Sequence, residues 1–328
     1  MSKRVYNWGI LGPGRIARRL AEGLKLLPNA RRYAVASRSP ERAESFRAEF
    51  GFDKAFGSYA EMLADPELDV VYVATTNNLH YEHTLLCLNA GKAVLCEKPF
   101  ASNSAQVHRM LACAREKNVF LMEALCTRFL PNMLELKRQI EAGTIGEPVM
   151  LQCDFGFIMP FDPENRVYAP ELGGGSVPDI GIYPVFTALY LFGPPVDIHV
   201  ASIPAPTGTD CTTAVLLRHK GGQISMLASS FQVRLEEQAR VYGHKGHLKI
   251  PRRFSRTDSL FFVDLHDHET PLPAGLVGNG FNYEAAEVMN CLDRGLIESP
   301  AMSHQFSVEL IETLDKICEK ARQQNRCP

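Results

Sequence analysis

An apolar run over residues 5–11 ends in Gly12-Pro13-Gly14-Arg15-Ile16-Ala17, and helical spacing then continues from 16 to 27. A strand, a glycine turn and a helix in immediate succession fix both the kind of sheet a chain opens with and where a ligand meets it. The pattern is G-x-G-x-x-A. Gly12 permits the tight turn, Gly14 lets a pyrophosphate approach the backbone, and Ala17 keeps the helix close to the sheet. The helix opens at Arg15 and Ile16, so its N-terminus faces the phosphates. In this context the motif predicts a bound dinucleotide.

Strands and helices go on alternating. Residues 32–36 form a second short apolar run, and Ser39-Pro40 opens a helix with serine at the N-cap and proline at N1. Ser58-Tyr59-Ala60-Glu61 fits a capping box that starts a helix ending near Ala64. A β-branched strand follows at 70–74, then a helix at 81–90 stopped by Gly91. A strand at 93–96, a helix at 105–117 and a strand at 119–122 complete the series. This order predicts a parallel, doubly wound sheet with ligands at the carboxyl ends of its strands.

The pattern then changes. A helix at 131–142 is closed by Gly143, and alternating runs follow at 149–157, 198–203, 212–218, 223–231, 238–243 and 260–265. Strands in succession predict an antiparallel sheet. One helix interrupts them at 179–192, and two more close the chain at 283–294 and 304–322. The fold class expected is therefore α/β. A Rossmann dinucleotide-binding domain spans 1–124, and an α+β domain with an open, mostly antiparallel sheet spans 125–328.

Charge indicates which dinucleotide. A carboxylate usually ends the second strand, roughly 20 residues after the glycines, where it accepts the ribose hydroxyls of NAD. Here that place holds Ala36-Ser37-Arg38-Ser39. Arg38 can pair with a 2′-phosphate and stack on adenine, Ser37 can donate a hydrogen bond, and Arg42 adds a second positive charge one turn on. Glu41 and Glu44 lie within the helix. NADP is the cofactor expected. Thr75, Thr76, Asn77, Asn78 and His80 follow the 70–74 strand, where polar side chains meet the nicotinamide ribose.

Lys98 follows the next strand and is fixed by Pro99, which holds the residue before it extended. An ammonium there can hold a substrate hydroxyl and favour the alkoxide character that develops as hydride leaves. In the second half, Gly173-Gly174-Gly175 permits close approach of backbone to ligand and leads to Asp179 and Tyr183. Four residues apart on a helix, these two share one face. A nearby Lys98 cation would make the Tyr183 phenol a better proton relay. Pro184 cannot donate to the carbonyl of Ile180, so the helix is either kinked there or only beginning.

Composition excludes several classes. Thirty-five basic and 37 acidic residues nearly cancel, so no global field attracts nucleic acid or an anionic membrane. No apolar run approaches the ~20 residues that span a bilayer. The start, Met1-Ser2-Lys3-Arg4, has no signal-peptide pattern. Nine cysteines, at 87, 96, 113, 126, 153, 211, 291, 318 and 327, form no Cys-x-x-Cys, which predicts reduced thiols in a cytoplasmic protein. His266-Asp267-His268-Glu269 resembles a metal cluster, but alternate strand positions face opposite ways and prolines follow. It is expected to be a solvated loop, and no metal site is expected.

Together these residues resemble the glucose–fructose oxidoreductase/inositol dehydrogenase/MocA (Gfo/Idh/MocA) family over essentially the whole chain. Gly12-Pro13-Gly14, Ala36-Ser37-Arg38, 75–80, Glu97-Lys98-Pro99 and 179–183 occur in its order and spacing. Gly57-Ser58-Tyr59, 90–99, 120–129 and Tyr283-Glu284-Ala285 are similar to the dimeric dihydrodiol dehydrogenases and related NADP-dependent sugar dehydrogenases. The resemblance implies Lys98 and Tyr183 as the catalytic pair with Asp179 assisting, and Glu97 beside Lys98 at the cofactor. It implies Arg128, Phe155 and the 151–175 segment at the substrate, and a homodimer through the C-terminal sheet. Many members carry histidine where Tyr183 stands. Thr76 replaces a usual proline, and Cys126 stands where the dihydrodiol enzymes have a tryptophan that favours flat substrates.

The function expected is hydride transfer between NADP(H) and a hydroxyl or carbonyl of a cyclic polyol or sugar. The alternatives are a trans-dihydrodiol or dicarbonyl oxidoreductase with the same catalytic pair, and a non-catalytic NADP-binding regulator.

Overall fold

The computed structural model describes residues 4–324. Met1–Lys3 and Cys327 therefore lie outside the described residues. The chain forms two compact units: residues up to Cys126 together with Val277–Val308, and Thr127–Leu276 together with the chain from Glu309 on. The sequence pattern divides the chain once, at 124/125. Contacts instead return the 277–308 stretch to the first unit.

The first unit alternates β1 (Tyr6–Leu11), α1 (Arg15–Leu24), β2 (Ala30–Ala36), α2 (Pro40–Phe50), β3 (Lys54–Phe56), α3 (Tyr59–Leu63), β4 (Val70–Val73), α4 (His80–Asn89), β5 (Ala93–Glu97), α5 (Ser104–Lys117) and β6 (Leu121–Ala124). Its sheet runs β3-β2-β1-β4-β5-β6, and every pairing is parallel. This is the doubly wound order, whose reversal point lies between β1 and β4. Both faces are covered, so β4 and β5 are buried at every position. Of these first-unit elements, β3, too short to show a period, is missing from the sequence reading.

Caps act where the sequence puts them. Ser39 Oγ accepts from the Arg42 amide at 3.3 Å, and Ser58 Oγ from the Glu61 amide at 3.2 Å. A helix from the far end of the chain, which we number α8 (Phe281–Asp293), packs on α1. Gly23 makes that approach possible: a Cβ there would sit 2.8 Å from the Asn282 nitrogen.

The second unit opens with α6 (Pro131–Glu141) and β7 (Pro148–Gly156), followed by α7 (Ile182–Phe192). Seven strands come next: β8 (Pro195–Pro204), β9 (Asp210–His219), β10 (Ile224–Ser230), β11 (Ala239–Gly243), β12 (Gly246–Ile250), β13 (Phe261–Val263) and β14 (Glu269–Pro271). The sheet order is β14-β13-β12-β11-β7-β10-β9-β8. β7 pairs parallel with β10, and the other neighbours are antiparallel. The sheet is thus mostly antiparallel. On β9, Thr213, Val215 and Leu217 are buried, whereas Ala214, Leu216 and Arg218 are exposed. One face is packed and the other is open. The last helix, α9 (His304–Gln324), ends the described chain.

Among the described residues no helix is long and apolar enough to cross a membrane. Cys87, Cys96, Cys153, Cys211 and Cys291 are buried, unbridged thiols. At 264–268 the Asp264 carboxylate accepts from the amides of His266 and His268 at 2.7 and 3.0 Å, which closes a tight turn.

Candidate functional site

The first unit gathers its candidates at the carboxyl edge of its sheet. Gly12, directly after β1, has φ 92°, and a Cβ there would meet Thr75 Cγ2 at 2.8 Å. Only glycine suits that position. Gly14 differs, since its added Cβ would make only an ordinary 3.8 Å contact with the Ala74 oxygen. The protein's own packing therefore does not demand glycine there, and the backbone is open to approach from outside. A cleft of about 420 Å³ opens beside this turn, lined by Pro13, Gly14, Arg15, Arg18, Glu41, Arg42, Ser45 and Phe46. Arg15 and Ile16 begin α1, whose first amides have no helical partner.

At the end of β2, Ser37 is buried and Arg38 exposed. Ser37 Oγ accepts from the Ser39 amide at 3.2 Å. The nearby carboxylates are engaged: Glu41 accepts from the Ser39 hydroxyl at 2.7 Å, and Glu44 pairs with Arg47 at 2.6 Å. Two residues that the sequence reading did not assign join this corner. Burial pushes the Tyr59 phenol up, while the charges of Arg38 and Arg42 pull it back. The His83 ring lies edge-on to Tyr59, 4.9 Å between centroids, and its Nδ1 is 3.1 Å from Thr75 Oγ1. Tyr59 is visible in sequence as the residue after a cap and in the Gly57-Ser58-Tyr59 likeness. His83 carries no sequence signal.

After β4, Asn77 and Asn78 sit on a short 3-10 turn, and Asn78 Oδ1 is buried with no hydrogen-bond partner. An orphaned polar atom there suits a ligand. His80 differs from the expected cofactor-lining role. It is fully buried, with Nδ1 2.8 Å from the Pro99 oxygen and Nε2 3.2 Å from the Thr75 oxygen. Burial holds its pKa down at about 4, so the ring is neutral and ties β4 to the Lys98 corner. It acts through the backbone it holds.

Lys98 follows β5 and is half-buried, and the Lys98–Pro99 peptide is cis. Glu97 beneath it is buried. Its Oε2 accepts from the Lys98 amide at 3.1 Å, and its Oε1 accepts from the Tyr72 hydroxyl. Two further carboxyls lie in this interior. Glu123 accepts from the Phe100 amide at 3.1 Å, and burial raises it to about 7. Glu284 on α8 is fully buried with neither oxygen hydrogen-bonded, and burial, then the charge of Glu97, push it well up. Sequence marks Glu284 only through the Tyr283-Glu284-Ala285 likeness.

In the second unit, residues 177–181 form a π turn, and α7 starts only at Ile182. Pro184 is thus in the first turn of α7, where its missing donor costs nothing. Asp179 lies in the π turn and Tyr183 in the first turn of α7, so the two are not on one continuous α-helix as expected. Asp179 is nearly buried, and Arg166 grips it with two hydrogen bonds, Nη1–Oδ1 3.1 Å and Nη2–Oδ2 3.4 Å. Tyr183 is half-buried with its ring 5.5 Å from Phe155, itself 6.3 Å from Phe157 and 6.4 Å from Phe254. Arg128 stacks on Tyr190 of α7 at 4.5 Å.

The π turn is anchored by Asp210, which no sequence signal singled out. Its Oδ2 accepts from Ser176 Oγ and the Val177 amide, both at 2.7 Å, and Ser176 Oγ is 2.9 Å from Ser229 Oγ. This also corrects the reading of the glycines. A Cβ on Gly175 would meet Asp210 Oδ1 at 2.3 Å, and one on Gly174 would meet three main-chain oxygens at 2.9 Å. These two glycines make room for the protein's own oxygens.

Residues 6–125 match the Gfo/Idh/MocA oxidoreductase family, NAD-binding Rossmann fold, and residues 133–249 match its C-terminal domain. The chain belongs to the Gfo/Idh/MocA family of oxidoreductases. Among curated relatives, the trans-1,2-dihydrobenzene-1,2-diol dehydrogenase of Mus musculus is 37% identical over 97% of this chain and 96% of its own. Among solved structures, aldose-aldose oxidoreductase from Caulobacter crescentus, complexed with glycerol, is 26% identical at TM-score 0.89, covering 98% of both chains. KijD10, a 3-ketoreductase from Actinomadura kijaniata seen with TDP-benzene and NADP, is 25% identical at TM-score 0.84, over 96% of this chain and 97% of its own.

Glu123 gives a pH prediction. With a folded pKa of about 7 against an ordinary 4.5, the native state keeps a proton that the unfolded chain has lost between those values. The stabilisation is full below the lower pKa and is lost as pH rises through the upper one. Thermal melts from pH 5 to 8 should show wild-type stability declining relative to Glu123→Gln by on the order of 3 kcal/mol. Parallel curves would contradict this account of Glu123.

Proposed function

We propose that the protein transfers hydride between NADP(H) and a hydroxyl or carbonyl of a cyclic polyol or sugar. What supports this most is the row at one sheet edge: a glycine turn after β1, Ser37-Arg38 where a carboxylate would end β2 in an NAD site, and Lys98 after β5. Gly12, Gly14, Arg15 and Ile16 would hold the pyrophosphate, Ser37, Arg38 and Arg42 the 2′-phosphate, and Thr75, Asn77, Asn78 and Glu97 the nicotinamide half. When bound, the cofactor accepts or returns the hydride while the CH–OH carbon becomes, or ceases to be, a carbonyl.

The rest is the work of this chain's side chains. The Lys98 ammonium holds the reacting hydroxyl and favours its alkoxide-like charge. Tyr183 relays the proton, and Asp179 binds a neighbouring hydroxyl. Phe155 and Arg128 shape the walls. The dihydrodiol relative, at 37% identity, keeps trans-diols on the test panel as the second reading.

The open sheet face supports a homodimer in solution. Leu216, Ile224 and Met226 expose 42, 40 and 47% of their surface on it. The buried thiols suit a reducing, cytoplasmic setting.

The test of activity mixes the protein with NADP⁺ or NAD⁺ and a panel of inositols, aldoses and trans-diols, and follows nicotinamide reduction by absorbance. We expect turnover with NADP⁺, lowered about 100-fold or more in Lys98→Met. Silence in both directions, despite NADPH binding, would leave the regulator reading instead. Sedimentation should give a dimer that Leu216→Arg dissociates. A monomeric wild type would contradict the dimer.

A further inference from the structure

Three rings stand together in the second unit. Phe254 lies 6.4 Å from Phe155, and Phe155 lies 5.5 Å from Tyr183. Phe254 is fully buried, yet it comes from the connection between β12 and β13 and not from a strand or helix. Backbone bonding holds it there. Its amide donates to the Glu237 oxygen at 3.1 Å, and its own oxygen accepts from Asn132 Nδ2 of α6 at 3.3 Å.

The two segments that meet at this point each carry a residue in the left-handed region. Glu237 has φ 56°, and Arg253, next to Phe254, has φ 64°. Neither is glycine, so the local chain disfavours both conformations and the surroundings must impose them. For Glu237 the imposing group is visible: its amide donates to Asp154 Oδ1 at 2.7 Å. A carboxylate makes the stronger kind of acceptor for such a bond. Asp154 is on β7, one residue before Phe155, and strand alternation sends these two side chains to opposite faces of the sheet. Its cross-strand neighbours are Ala228 of β10 and, beyond it, the exposed Ala214 of β9, so Asp154 belongs to the open face. A path of bonds therefore runs from a carboxylate on the open face, through the backbone of Glu237, to a ring on the packed face.

We propose that Asp154 is a positioning residue for the substrate site, holding Phe254 against Phe155 and Tyr183 through the backbone of Glu237. This rests on the reading of Phe155 and Tyr183 as part of the substrate site given under the proposed function. A wall of rings packs on the apolar side of a substrate equally before and during the reaction. Its loosening is then expected in KM and not in kcat.

The experiment compares the wild type, Asp154→Ala, Asp154→Asn, Glu237→Gly and the double variant Asp154→Ala/Glu237→Gly. One readout is hydrogen exchange of the 251–256 segment, followed by mass spectrometry on the NADPH-bound protein. The other is kinetics with NADP⁺ and the panel of inositols, aldoses and trans-diols. Asp154→Ala should speed exchange of 251–256 about 10-fold or more and raise KM about 10-fold, with kcat within about threefold. Asp154→Asn keeps an acceptor without the charge and should be intermediate. If Asp154→Ala does not fold, Asp154→Asn carries the same comparison. Glycine adopts the left-handed region freely, so Glu237→Gly alone should match the wild type, and in the double variant it should return exchange and KM most of the way. A general loss of stability, or of packing on the open face, would not be rescued in that way. Unchanged exchange, unchanged KM or no recovery in the double variant would overturn the inference and leave the proposed function standing. If the wild type turns over no member of the panel in either direction, the functional reading itself fails and takes the inference with it.

Discussion

Parallel pairing of β1 with β2 on one side and β4 on the other is the constraint on which the first unit depends. It turns the chain in opposite directions from one central strand and opens a crevice at that strand's carboxyl end. Gly12, Ser37, Thr75 and Lys98 all follow strands of this sheet, so they share one edge although the chain separates them widely. The edge is held by buried acceptors more than by surface charge. Glu97 accepts hydrogen bonds from the Tyr72 hydroxyl and the Lys98 amide, while His80 spans the ends of β4 and β5 as a neutral ring. Buried carboxyls at Glu123 and Glu284 fill the interior around that corner and favour their protonated forms, burial being the main cause.

The second unit reaches the same end differently. Its candidate residues sit on a π turn, a local irregularity that packing must impose. Asp210 imposes it from the sheet, through Ser176 and the Val177 amide, and two glycines give that carboxylate and the neighbouring carbonyls room. Arg166 approaches Asp179 from a connection with its own internal hydrogen bonds. Asp210 thus serves the turn's shape, while Arg166, with its side chain 39% exposed, holds the nearly buried Asp179.

Much of this was legible in the sequence where the signal is local. Strand–turn–helix order, the Ser39 and Ser58 caps and the Gly12 turn are short-range features, and each appears within a few residues of its expected place. The alternating burial of β9 likewise follows its pattern directly. Long-range pairing was not legible. Nothing local makes β7 and β10 parallel neighbours, brings α8 onto α1, or joins Arg166 to Asp179 across 13 residues. His80 shows the same limit: its position after a strand suggested a ligand contact, whereas two carbonyls from separate loops enclose its ring. The single α-helix expected over Asp179 and Tyr183 is instead a π turn followed by α7, with Pro184 in the first turn of α7.

Direct hydride transfer is the central claim, and isotope tracing addresses it without reference to rates. The protein would be incubated with NADP⁺ and an inositol carrying deuterium at its carbinol carbons, and the reduced cofactor then isolated and weighed by mass spectrometry. The account predicts NADPH heavier by one mass unit, the deuterium having moved from carbon to the nicotinamide. Unlabelled NADPH, or deuterated polyol recovered intact with every substrate of the panel, would contradict it.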